Sequence, residues 1–362
     1  MARRKGRVGA PVGIVMAVGA IAALFWNEGR SVDRIKTIDT GRDAVTEGDP
    51  GRVDASLQGK LVHLVGPATG GDIADTVFRI ELTALRLDRR IDMYQWVETK
   101  KGRDGHTEYE YRKAWRNERV TGFDDNRYVN PEMPYRDQTF YPAEARLGAY
   151  RLSRALLDDL DAGLAVIPSP IDLPKVGPLR LEGERLYSGD PKQQDIGDLR
   201  IAFNAAPEQT VSVLAGMAGG ELLAFRTEHG DLAMIEPGAM NADAMLALAE
   251  TRNAYLTWGI RLAGTAAIFF GLFLLLSSAV SWIPFAQGLA RAGAALIAIV
   301  LAVPIALSVI AFAWLWFRPL WAIGLFCVAA LGPIFLVLRG RRANRAPAMA
   351  HAMPPPPPPP PR

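Results

Sequence analysis

Residues 262–283, LAGTAAIFFGLFLLLSSAVSWI, carry no charged side chain. Crossing a hydrocarbon core of ~30 Å takes about 20 helical residues, and this stretch is that long. Working outward, residues 292–317 and 319–338 repeat the pattern, separated only by residues 284–291 and by Arg318. Buried core helices of a soluble protein can also be apolar all round, but three such runs in so close a succession read as membrane spans. A further uncharged run, residues 8–26, stands near the other end of the chain. Its basic start and small residues at 20–23 also fit a cleaved signal peptide. The run continues through Leu24, Phe25 and Trp26 without a break, which favours an anchor.

Composition agrees with spans at both ends. Of 362 residues 49% are hydrophobic and 22% charged, and the mean hydropathy is +0.08. The formal net charge of +3 conceals a partition: all 38 acidic residues fall within 27–258, with 29 of the 41 basic ones, so that segment carries −9. The apolar ends hold only basic charge. Arg3, Arg4, Lys5 and Arg7 flank the first span, and Arg339, Arg341, Arg342 and Arg345 flank the last. Lys and Arg collect on the cytoplasmic side, and four spans place both basic tails on one side. The expected order is a cytoplasmic tail (1–7), a membrane helix (8–26), a large extracytoplasmic domain (27–258), membrane helices 262–283, 292–317 and 319–338, and a cytoplasmic tail (339–362). Nucleic-acid binding needs a basic face, and the large segment is acidic, so nucleic acid is not an expected partner. The lone Cys327 excludes a disulfide scaffold, and the four histidines lie too far apart for a short metal motif.

Six tryptophans stand at span ends: Trp26, Trp258, Trp282, Trp314, Trp316 and Trp321. An amphipathic indole prefers the headgroup layer, so these are expected interface anchors. Arg318-Pro319 makes the turn between the last two spans, with the arginine reaching up to the headgroups. No span contains an acidic residue or a histidine, which a proton-coupled transporter usually places at mid-membrane depth. A channel or transporter is therefore a third reading.

Between the spans, short alternating runs dominate. Residues 61–65, 78–87, 91–98, 109–115, 199–203, 211–215, 222–225 and 232–235 read as strands, with Gly-rich or polar breaks between them. Ser153 caps an expected helix carrying Leu156, Leu157, Leu160 and Leu164 on one face. Asn241 caps another, with Met245, Leu248 and Ala249, that runs on toward the second span. The fold class is α+β: four transmembrane helices with a β-rich domain inserted between the first and second. Residues 59–87 and 183–203 share a strand, turn, loop, strand order, which hints at two similar halves, about 27–150 and 151–258. Two β-hairpins resemble each other this much by chance as well.

No nucleophile elbow, phosphate-binding loop, dinucleotide fingerprint or metal spacing occurs, so no catalytic, cofactor or metal residue is assigned. Glu98, Glu108 and Glu110 read as solvated charge on strands. Asp158, Asp159 and Asp161 read as the wet side of an amphipathic helix. His63 alternates with Leu61 and Val65 and reads as a satisfied core residue. Residues 354–361 are consecutive prolines, a polyproline II tail.

Several runs, in order along nearly the whole chain, resemble the transmembrane protein 43 (LUMA) family. They are Asn27-Glu28-Gly29-Arg30, residues 59–63, the run Met93-Tyr94-Gln95-Trp96-Val97-Glu98 after Ile91-Asp92, residues 176–181 with Tyr187-Ser188, and Gly197-Asp198-Leu199-Arg200. Thr257-Trp258-Gly259-Ile260-Arg261 and Trp314 through Trp321 complete the set. The resemblance implies one N-terminal span, a large non-cytoplasmic domain and three C-terminal spans. It further implies self-association and a part in organising membranes; animal members are described in the endoplasmic reticulum and inner nuclear membrane, working with emerin and lamins. It carries over no catalytic residue and no cofactor. The Ala- and Arg-rich style and the polyproline tail depart from those members and suggest a bacterial one, in an inner membrane without lamins. The expectation is a non-enzymatic, self-associating scaffold whose exported domain binds lipid or an unidentified protein at the bilayer. A lipid- or envelope-directed enzyme is the alternative.

Overall fold

The computed structural model describes residues 6–103, 106–164, 171–280 and 287–319. Apart from Pro319, the fourth expected span lies outside the described residues. So do Trp282, Trp321, Cys327, the polyproline tail and the basic residues Arg3, Arg4, Lys5, Arg339, Arg341, Arg342 and Arg345.

Among the described residues three helices are long and apolar enough to cross a membrane: α1 (Gly6–Ala44), α3 (Ala242–Val280) and α4 (Gln287–Phe317). Helix α2 (Arg154–Asp158) is a single short turn inside the β-rich part. Asn241 caps α3 as expected, its Oδ1 accepting the Ala244 N–H at 2.8 Å, and the helix runs on unbroken into the apolar stretch. Helix α1 does the same from the other end. It does not stop at Trp26 but continues eighteen residues further, to Ala44, because Ser31, Val32 and Ile38 give those turns a face to bury.

The two long helices lie antiparallel and approach at glycines. A Cβ at Gly13 would sit 2.5 Å from the Gly271 carbonyl oxygen, and one at Gly271 would sit 2.7 Å from that of Gly13. Small residues four apart, Gly9 and Gly13, allow such backbone contact where lipid supplies no hydrophobic drive. Helix α4 adds an alanine face, with Ala302 and Ala306 buried against Ala20, Leu24 and Ile268.

In chain order the strands fall between α1 and α3. Among the described residues they build two larger sheets over separate cores and two two-stranded ones, Gly71–Asp75 with Ile80–Ala84 and Phe225–Thr227 with Gly230–Leu232. In the first, strands Leu61–Thr69, Arg146–Leu147, Tyr150–Leu152, Glu221–Leu223 and Gln209–Ala218 pair in turn, and the last pairs back on the first to close a ring. One side of this sheet packs on α1 and α3 through Leu61, Leu214, Ile38, Met245 and Leu246. The second sheet runs in the order Ile171–Leu173, Gly177–Glu182, Arg185–Tyr187, Leu199–Ala206, Arg86–Arg103 and His106–Arg116. Leu87, Ile91 and Met93 alternate inward there and meet Leu199, Ile201 and Phe203. Both sheets draw strands from before and after residue 150, so the two halves of the chain are interleaved.

Two local expectations are corrected. The expected strand over 78–87 breaks at Leu85, which is buried in the first core while Ala84 and Leu87 are buried in the second. The chain switches sheets there, and the Leu85 N–H goes to the Ala206 carbonyl at 2.9 Å. The helix expected from Ser153 to Leu164 ends at Asp158. The Arg86 guanidinium takes the carbonyls of Leu157 and Asp158 at 2.5 and 2.7 Å, and the Leu160 N–H closes a tighter turn on Leu157 at 3.3 Å in place of a further α-helical bond. Gly163–Leu164 then joins the second sheet. Ser153 sits at the N-cap position without a side-chain capping bond.

Candidate functional site

Where the apolar run of α1 gives way to charge, three distant segments converge on Glu28. Its carboxylate is almost wholly buried and takes a two-pronged contact from Arg261 on α3, with Nε to Oε1 at 2.7 Å and Nη2 to Oε2 at 2.8 Å. The indole N–H of Trp314 on α4 donates to Oε2 at 2.9 Å. A carboxylate in so dry a place needs these donors, since an unpaired buried charge is strongly unfavourable. The Arg261 guanidinium also lies 4.8 Å from the ring centre of Trp258, and that of Arg318 lies 5.8 Å from Trp314.

One turn further along α1 the collar continues. Asn27 donates to the Thr257 carbonyl at 3.2 Å, and Arg30 reaches Asn27, Asn253 and Thr257 at 3.0–3.2 Å. Asn253 returns to the Ser31 carbonyl at 3.2 Å. Gly29 leaves room for Phe317: a Cβ there would stand 2.7 Å from the ring. Thus Asn27, Glu28, Gly29, Arg30, Arg261, Trp314 and Arg318, singled out separately in the sequence, form one structure. Trp26, Trp258 and Trp316 remain exposed on its outer side, whereas Trp314 turns inward. Arg7 opens α1 far from this point. Asn253 and its buried network were not anticipated. The available signal was that Glu28 and Arg261 are the charges that border the apolar runs, so antiparallel helices must set them side by side.

The resembling runs 93–98 and 197–200 meet in the second sheet, where Met93 pairs with Leu199 and Asp92 with Arg200, while residues 61–63 belong to the first. Gly197 adopts φ +103°, a conformation suited to glycine, and donates its N–H to the Tyr94 carbonyl, while the Tyr94 N–H goes to the Asp198 carbonyl. Arg200 holds Asp92 at 2.8 and 3.1 Å and lies 4.8 Å from the Trp115 ring centre. Gln95, fully buried, bonds to the Arg116 and Glu118 carbonyls and to the Val120 N–H. Trp96 packs edge-on against Tyr128, Val97 pairs with Arg112, and Glu98 accepts the Asp124 N–H at 2.7 Å. Leu199 is core. These residues organise a sheet and a loop rather than a reactive centre.

Two cavities adjoin the collar. The first, about 460 Å³, is lined by Arg30, Arg34 and Arg252 on the helices and by Asp159, Asp161 and Glu236 on the β-rich part. Arg252 grips Glu236 with both Nη groups, one at 3.0 Å. Burial, then the charges of Asp158 and Glu236, hold the Asp159 carboxyl above its ordinary range. Burial and a hydrogen bond to Asp158 push the Tyr141 hydroxyl up to about 12. All three carboxylates of the run at 158–161 stay exposed, although Asp158 also accepts the Tyr141 hydroxyl. His63 is buried as expected, with Nδ1 2.7 Å from Glu47 and Nε2 3.0 Å from the Met240 carbonyl. Among the described residues no group of His, Cys, Asp and Glu is arranged to hold a metal ion. The second cavity, about 590 Å³, lies between α1, the hairpin of strands Phe225–Thr227 and Gly230–Leu232, and the end of α4.

Apolar helices fastened to a β-rich body by a buried ionic collar define an α+β membrane protein. The comparisons name the family. The transmembrane protein 43 model matches residues 93–319. Transmembrane protein 43 of Rattus norvegicus is 31% identical over 353 residues, covering 90% of this chain and 88% of its own. That of Homo sapiens is 31% identical over 358 residues, covering 91% and 89%. The Drosophila melanogaster homolog is 26% identical over 288 residues, covering 72% and 74%. The chain belongs to the transmembrane protein 43 family. No solved structure matches it.

Proposed function

We propose that this protein is a non-enzymatic, self-associating scaffold that organises a bacterial inner membrane. In this reading both termini are cytoplasmic, four helices span the bilayer, and the β-rich domain lies outside, where it binds lipid or protein. The observation that supports it is the collar. Two 39-residue helices pass without a break from the apolar region into the domain, and Glu28, Arg261 and Trp314 fasten three helices at the crossing. A domain joined so firmly to its anchor transmits position and orientation to the membrane, which suits a scaffold. Crosslinking in native membranes should trap oligomers; a strictly monomeric protein removes self-association from the reading.

A second reading, a lipid- or envelope-directed enzyme, has one observation in its favour. Asp159, Asp161 and Glu236 converge in the first cavity, and burial with nearby acidic charge raises the Asp159 pKa, the direction a general acid needs. Turnover of lipid or envelope polymer that is lost in Asp159→Asn and kept in Asp92→Ala would favour it over the scaffold.

A further inference from the structure

The second cavity has an apolar floor and a charged upper wall. Phe25 and Trp26 at the end of the apolar run of α1, with Phe317 at the end of α4, form the floor. Above them, Arg30 and Arg34 stand one turn apart on the same helix, and Asp33 and Asp231 complete the wall.

The charges on that wall are not closed into ion pairs among the described residues, although Glu28 and Asp159 lie near enough to Arg30 and Arg34 to attract them. Neither Arg30 nor Arg34 forms an ion pair among the described residues. Arg30 spends its Nη groups on the neutral oxygens of Asn27, Asn253 and Thr257, and its buried Nε has no acceptor. Among the described residues the Arg34 side chain hydrogen-bonds only to the Asp231 carbonyl, at 3.2 Å. The side-chain carboxylates of Asp33 and Asp231 have no basic partner among the described residues either; the ion pairs form elsewhere. Two like charges at i and i+4 on a helix repel, and a half-buried guanidinium gains most from a bidentate anion. Two unpaired cations and two unpaired anions facing one cleft, above an aromatic floor at the end of the apolar run, are complementary to an amphipathic zwitterion.

We infer that this cleft binds one aminophospholipid, a phosphatidylethanolamine of the leaflet next to the β-rich domain. The phosphate lies against Arg30 and Arg34, the ammonium against Asp33 and Asp231, and an acyl chain passes down over Phe25, Trp26 and Phe317. A choline headgroup has no N–H to give the two carboxylates, and a glycerol headgroup has no cation. The inference rests on the lipid-binding part of the scaffold reading and names its ligand.

The test is native mass spectrometry of the full chain, purified in detergent and titrated with phosphatidylethanolamine, phosphatidylcholine or phosphatidylglycerol of the same acyl chains. Phosphatidylethanolamine is expected to be retained about tenfold better than either of the others, the effect of one charge-assisted hydrogen bond. Arg34→Gln should lower that retention about tenfold. Asp33→Asn, at an exposed position that leaves the fold intact, should erase the preference over phosphatidylglycerol. Soluble phosphoethanolamine should not displace the lipid, because it lacks the chain that covers the floor. Equal retention of the three lipids, a preference unmoved by Asp33→Asn, or displacement by the soluble headgroup would each overturn the assignment. The same spectra count protomers, so loss of the lipid preference with oligomers intact sinks this inference alone, while monomers throughout sink self-association.

Discussion

Glu28–Arg261 in the collar and Asp92–Arg200 in the second sheet are both carboxylate–guanidinium pairs with two contacts near hydrogen-bond length. Their surroundings differ. The collar pair uses both carboxylate oxygens, and its side chains are 1% and 14% exposed. The sheet pair shares a single oxygen, and its side chains are 33% and 24% exposed. Water can replace a lost partner in the sheet and cannot in the collar. The same two residue types therefore make a decoration in one place and a fastening in the other, and burial is what separates them.

Breaking each pair sharpens the comparison. Glu28→Ala leaves Arg261 and the Trp314 indole without an acceptor in a dry site, and is expected to cost about 3–5 kcal/mol. Thermal unfolding of the detergent-solubilised protein, followed by helical circular dichroism, measures it. Next in size is Gly13→Leu, whose side chain would drive α1 from the Gly271 backbone. About 1–3 kcal/mol is expected, with hydrogen exchange faster in α1 and α3 and unchanged in the second sheet. Asp92→Ala should cost less, about 0.2–1 kcal/mol. An Asp92→Ala loss equal to that of Glu28→Ala would show that burial is not the difference.

The smallest effect is a pH dependence. Burial and nearby acidic charge raise the folded-state pKa of Asp159. A carboxyl raised in this way favours folding while protonated; the advantage is present at low pH and lost as the pH rises through the folded pKa. Asp159→Asn copies the protonated form. It should raise Tm at neutral pH, with the difference closing as the solution is acidified, and a Tm difference independent of pH would refute the assignment.

The three long apolar helices among the described residues were readable because a span needs only a sufficient uncharged run, a property of the local chain. Asn241 was readable for the same reason, since capping is decided within one turn. The long strands around Ile91 and Leu199 showed their alternation. The lower turns of α1 were evident, but not its extension to Ala44, since that half has no side chain pattern of its own apart from the face that α3 covers. The helix after Ser153 was misjudged because Arg86, far away in sequence, takes the Leu157 and Asp158 carbonyls, and the Leu160 N–H closes a tighter turn there instead.

For the candidate site the legible part was membership, and the illegible part was meeting. Glu28, Arg30, Trp258, Arg261, Trp314 and Arg318 all drew notice as members of separate runs or as anchors. Glu28 and Arg261 could have been paired as the charges bordering two antiparallel apolar runs, but no such signal tied Trp314 to the same carboxylate.

What the amino-acid sequence determined by itself was everything set by nearest neighbours: which segments are too apolar for water, where charge stops, where helices and strands begin. Tertiary structure alone decided which charges face each other. Two antiparallel helices and a third beside them bring Glu28, Arg261 and Trp314 within hydrogen-bond reach, and the exclusion of water there turns an ordinary ion pair into the joint between membrane and domain.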